Sequence, residues 1–192
     1  MKINGRTFLK SVGLALLIWA AGLPGLQAQQ ALPPEIAALF PANIINPGGT
    51  YTPQMRVDIS GEVPNTRACD KGITAGTGGM RIELLFFQGQ RASLIQTYAK
   101  NLRHFIDQEK ANMTPGPVHE EEVAGGTALW VEETGPCVES VNANSHSVNL
   151  QCQFVQGQVY GKIGISFLGD VAEAKAMLAE TLDKISKLDL SK

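Results

Sequence analysis

The nine residues Val159 to Phe167, VYGKIGISF, alternate without a break. Val159, Gly161, Ile163, Ile165 and Phe167 fall on one side, and Tyr160, Lys162, Gly164 and Ser166 on the other. Only an extended strand with a side-chain period of two sorts residues this way. The chain must therefore fold around a sheet with at least one buried face. Directly after it, Asp170 is placed to cap a helix. Val171, Ala174, Met177, Leu178, Leu182, Ile185 and Leu188 give that helix one apolar stripe.

The same two periods recur upstream. QMRVDISGEV sets Met55, Val57 and Ile59 against Arg56, Asp58 and Ser60, a half-buried strand. MRIELLFF is apolar on both faces toward its end, as in a covered central strand. From Ala92 the spacing becomes helical: Ile95, Tyr98, Ala99, Leu102, Phe105 and Ile106, with Ser93 as the expected N-cap. TPGP ends that helix. VHEEEVAGGTALWVEE reads as one or two strands around Gly125 and Gly126, and VNLQCQFV as another. Adjacent strands with two helices predict an α+β fold, an antiparallel-rich sheet with two main helices packed on it as an αβ sandwich. The domain spans 54–190. Residues 29–53, rich in Pro, Gly and Asn, read as an extended lead-in with one or two helical turns at PEIAALF.

The first 28 residues follow the secretory pattern. Lys2, Arg6 and Lys10 precede an apolar run from Ser11 to Leu23, and LQA precedes Gln29. The apolar run is too short for the roughly 20 residues of a membrane-spanning helix. An uncleaved N-terminal anchor is the alternative. Removing 1–28 takes away three positive charges and no negative ones, so the formal net charge moves from −2 to −5. An acidic exported domain is a poor nucleic-acid binder, because phosphate binding needs clustered Lys and Arg. The expected location is the periplasm or the exterior.

SLIQTYAKNL, then VAGGTALWVEE, then GQVYGKIGIS, then EAKAMLAETLDKI follow an order similar to that of the PsbP-like sandwich domains. These are found in photosystem extrinsic subunits and bacterial envelope proteins. The resemblance covers roughly residues 54–188. It implies a non-enzymatic accessory or assembly factor binding a protein partner or a small ligand, and transfers no site residues. The alternative is a small envelope hydrolase or metal-dependent enzyme.

Motifs for chemistry are sparse. CDKGITAGTGGM lacks the Gly-Lys-Ser/Thr ending of a phosphate loop, and a strand follows where a helix should. It reads as part of a 15-residue connection, 65–79, whose Cys69, Asp70 and Lys71 can touch a partner. HEEE at His119 lacks the second histidine of a zinc-protease motif. Glu120 and Glu122 share one strand face, His119 and Glu121 the other. Two carboxylates hold calcium only with further oxygen ligands, so neither metal nor cofactor is expected. From Ala111 to Gly161 there is no Lys or Arg but six acids, while Arg81 to Lys110 carries five basic residues against three acids. Such separation either steers a charged partner through Glu120, Glu122, Glu132 and Glu133, or is neutralised within the fold.

Three cysteines remain, Cys69, Cys137 and Cys152. A hairpin turning at Asn144-Ser145 pairs Val141 with Val148 and Cys137 with Cys152, so the expected disulfide is Cys137–Cys152, with Cys69 free. Pairing of Cys69 with either of the others is the alternative. Export itself is directly testable: protein recovered from the periplasm should begin at Gln29. An intact mass that still includes Met1 to Ala28 would overturn the leader reading.

Overall fold

The alternating strand has a hydrogen-bonded neighbour on each side: one is the strand just before it in the chain, the other lies far upstream. The computed structural model describes residues 32–65, 76–113, 116–137 and 140–188. Within them lie the strands β1 (Ile45–Thr52), β2 (Arg56–Asn65), β3 (Gly76–Phe86), β4 (His119–Val123), β5 (Gly126–Cys137), β6 (Ser140–Gln156) and β7 (Val159–Leu168). The helices are α1 (Pro34–Ala37), α2 (Leu94–Asn112) and α3 (Val171–Ser186). The strands form one antiparallel sheet in the order β1-β2-β3-β7-β6-β5-β4. The chain is thus α+β. No helix among the described residues is long and apolar enough to cross a membrane.

Alternation decides which face each helix meets. Val159, Ile163, Ile165 and Phe167 are buried in one cluster with Val57, Ile59, Ile82, Leu84, Leu150 and Phe154. Ala174, Met177, Leu178, Leu182 and Ile185 of α3 close over them. Asp170 caps α3 as expected, its Oδ1 accepting from Glu173 N at 2.9 Å. On the opposite face, Ile106 and Met113 pack with Leu129 and Val131. There Tyr98 and Phe105 of α2 meet Tyr160 and Phe87, with ring centroids 4.9–6.0 Å apart.

Four expectations are corrected. Residues 29–53 are not merely a lead-in: Ile36, Leu39, Phe40 and Ile44 belong to the main core, and β1 pairs with β2. Pro47, Gly48 and Gly49 disguise this strand. They are tolerated because β1 is an edge strand with an irregularity between Ile45 and Gly48. Second, the 65–79 connection is shorter than expected, because β2 and β3 remain paired down to Asn65 and Gly76. Gly78 is a strand residue whose missing Cβ leaves room for Phe167. Third, Ser93 makes no side-chain cap to α2, which is entered through a 3₁₀ turn at Gly89–Arg91.

Fourth, β5 continues through Pro136 and Cys137, and β6 starts at Ser140. The pairing therefore places Cys152 opposite Ala128 and Cys137 opposite Ser140, not Cys137 opposite Cys152. Twelve residues of β6 separate those two positions, about 40 Å at ~3.3 Å per residue, far beyond disulfide reach. Cys152 is a free, buried cysteine.

Gly161 shows how tightly the main core is built. It pairs with Phe154 on one side and Leu84 on the other. A Cβ here would collide with the Phe154 ring and come within 2.9 Å of Leu84 Cδ2. Gly161→Val should therefore destabilise the fold by about 1–3 kcal/mol. Gly79→Val, where nothing lies within 4 Å, should stay within about 0.5 kcal/mol of the parent. Urea denaturation of both variants checks the contrast.

Candidate functional site

An apolar helix covering a sheet leaves a gap wherever the side chains beneath it become small. α3 lies across β6 and β7, and toward β4 and β5 the layer beneath it thins. Ala124 in the β4–β5 turn, Ala128 on β5 and Ala179 on α3 all line the resulting cleft, whose volume is about 460 Å³. Val123 and Ala128 form its sheet side, while Leu178 and Leu182 form its helix side. Gln156, at the end of β6, lines it too.

The rim is charged. Lys175 pairs with Glu121 and lies 3.9 Å above the Trp130 ring. His119 stacks on the same indole, with centroids 5.3 Å apart. Trp130 Nε1 donates to Glu132 Oε1 at 3.3 Å. This group ties α3 to the short edge strand β4, and Lys175 and Glu121 bring it to the cleft, which both line. Asp183 and Ser186 line it as well, and Asp183 is paired with Lys187 at 2.6 Å.

Two other concavities are more polar or more superficial. A groove of about 620 Å³ crosses the sheet face that α2 leaves open, past Ser60, Gly79, Arg81, Gly164 and Ser166. Its charges already satisfy one another: Arg56 and Arg81 both pair with Asp58 and Glu83. A third hollow, of about 550 Å³, lies where Asn43, Pro64 and Phe167 meet Met177 and Glu180.

The acids singled out from the sequence do not form one patch. Glu120 and Glu122 do share a face, as alternation required, and it is the α2 face, because Glu120 is paired in register with Leu129. Glu133 follows Val131 onto that face, whereas Glu132 follows Trp130 onto the α3 face. Glu120 is engaged within the fold, accepting from Arg103 and from Lys110, the latter at 2.9 Å. At this position the basic helix neutralises the acidic strand. Glu122 and Glu133 are exposed. Asp70, Lys71 and Cys69 lie outside the described residues.

The histidines stand apart: His104 is exposed on α2, His119 stacks on Trp130, and His146 Nδ1 lies 3.4 Å from Thr134 Oγ1. Among the described residues no three His, Cys, Asp or Glu side chains converge as a metal site would need. Burial pushes the Cys152 thiol up to about 12, so at neutral pH it stays protonated and is not a nucleophile. Sequence reasoning assigned none of the cleft's residues to a site: Leu178 and Leu182 read only as an apolar stripe and Glu121 only as one face of a strand. Alanine and glutamine carry no motif, and their convergence depends on the β4–β5 register and the placement of α3.

The Glu120 contacts predict a pH dependence. Hydrogen bonds from Arg103 and Lys110 lower its carboxyl to about 2, from an ordinary value of about 4.5. A depressed folded-state value contributes stability above the unfolded value and loses it as pH falls through the folded one. Glu120→Gln should therefore be less stable than the parent at pH 7, with the gap narrowing between about pH 4.5 and 2. One molar salt should shrink the gap as well, because the site is exposed. Thermal melts across that range check both effects. No protein-family profile, no curated protein and no solved structure matches this chain.

Proposed function

We propose that this chain is an exported, non-enzymatic binding domain of the envelope or periplasm that holds a small, largely apolar molecule between α3 and the β4–β5 edge. The observation that carries the reading is the cleft. Its volume of about 460 Å³ lies within the ~300–1,000 Å³ of small-molecule sites. Apolar side chains line its interior and charged ones its rim, the usual division of labour between affinity and orientation. The basic start and short apolar run of residues 1–28 support export. The order of elements supports kinship with the PsbP-like sandwich domains, with α2 and α3 as the two main helices against the sheet. Most such domains bind or assemble rather than catalyse.

A protein partner is the second reading, and one observation favours it. β5 runs on to Cys137 although β4 pairs it only as far as Trp130, and β6 begins at Ser140 although β7 reaches it only at Ser147. Strand edges that no other described strand covers can accept an added strand, and the exposed Glu133 lies along the one on β5.

The cleft reading has a direct optical test. Trp19 and Trp130 are the two tryptophans, so full-length Trp19→Phe protein leaves Trp130 alone at the cleft rim. N-phenyl-1-naphthylamine, an apolar probe that absorbs where tryptophan emits, should bind saturably and accept energy from Trp130. Ala179 is exposed on α3, so Ala179→Phe should fill the cleft mouth without disturbing the core. It should weaken binding by at least about tenfold. Binding that Ala179→Phe leaves unchanged would place the probe elsewhere and sink the reading.

A further inference from the structure

A buried polar atom without a partner loses its hydration and gains nothing in return, so native folds keep few of them. Among the described residues, two buried side-chain oxygens take no hydrogen bond. One is Thr181 Oγ1, on a fully buried residue of α3 that does not line the cleft. The other is Oε1 of Gln156, a cleft-lining residue.

Gln156 is the last residue of β6 and pairs with Val159 across the tight β6–β7 turn. Its backbone is therefore held by the ladder, while its side chain lies on the α3 face of the sheet, two residues beyond the buried Phe154. Its oxygen is shielded from water and unsatisfied by the protein. The terminal torsion of a glutamine amide is soft, so the amide can turn toward the cleft at small cost.

We infer that the cleft takes a neutral amphipathic molecule that donates one N–H or O–H hydrogen bond to Gln156 Oε1 and lays its apolar body against Val123, Ala128, Leu178 and Leu182. The inference rests on the reading of the cleft as a ligand site. Neutrality follows from the rim. Lys175 already has Glu121, and Asp183 already has Lys187, so neither offers an uncompensated charge to an ionic head group. The required donor follows from the orphaned acceptor: a purely apolar occupant would seal Oε1 away from water for good, whereas a donor removes its cost.

The experiment compares two probes of nearly equal shape. N-phenyl-1-naphthylamine carries one N–H; 1-benzylnaphthalene replaces it by CH₂. Affinity for the first is read by energy transfer from Trp130 in the full-length Trp19→Phe protein. Affinity for the second is read by displacement of the first. The parent should prefer the amine by about fivefold to tenfold, the worth of one neutral hydrogen bond. Gln156→Leu should erase that preference while melting no lower than the parent, and Gln156→Met serves as the second test of the same loss.

Equal binding of both probes to the parent, with Ala179→Phe blocking both, overturns the donor inference and leaves the apolar cleft standing. An amine preference that persists in both Gln156 variants also overturns it. Failure of N-phenyl-1-naphthylamine to bind, or its indifference to Ala179→Phe, overturns the cleft reading and the inference with it.

Discussion

The pairing of β3 with β7 is the contact on which the rest of the fold depends. β1, β2 and β3 form one meander and β4 to β7 another, and α2 lies between them in the chain. Only the β3–β7 ladder, from Gly79↔Ser166 to Phe86↔Val159, makes them one sheet. Those pairs join residues 73 to 87 positions apart, so the loop-closure entropy is large compared with that of any hairpin here. What repays it is a register in which Ile82 and Ile163, both fully buried, stand opposite each other. A slip of one residue would turn every core side chain of β7 to the other face. The clean alternation of VYGKIGISF is what forbids that slip.

α3 and α2 are held by different physics. On the α3 face the lid is apolar, and the N-terminal segment completes it: Lys184 Nζ donates to Phe40 O at 2.6 Å, tying α3 to the chain before β1. On the other face α2 is held by aromatic contacts and a polar chain. Tyr160 donates to Gln153 at 2.9 Å, Gln153 donates to Glu109, and Lys162 also donates to Glu109 at 2.9 Å. Burial, then the neighbouring Tyr98, Glu109 and Glu83, pushes the Tyr160 hydroxyl up to about 12, so it remains a donor throughout the neutral range. A network with every member satisfied fixes orientation more than it adds stability.

What could be read beforehand was whatever rests on a single local period. β7, α3 and its Asp170 cap, and the division of Glu120 and Glu122 from His119 and Glu121, all followed from spacing. Misreadings arose where a residue's usual meaning is overridden by its neighbours in space. Gly78 looks like loop, yet it is glycine because Phe167 occupies the place of its side chain. Pro136 looks like a bend, yet it continues β5 where that strand has passed the end of β4 and no other described strand covers that edge. The turn expected at Asn144-Ser145 is instead β6 strand paired with Pro136 and Gly135, and that misplaced turn brought two cysteines together that the fold keeps at opposite ends. The cleft was illegible for a deeper reason. It is made by what alanines fail to fill, and an absence of volume has no signature in a string of residues.

The central ladder also has a consequence in time. Among the described residues β7 is the last strand, and until it forms the edge of β3 that it covers has no strand on it. A nascent chain that has emerged only as far as the β6–β7 turn holds two half-sheets and no shared core. On this topology the two half-sheets share a core only once β7 has paired with β3, the longest-range contact of the sheet.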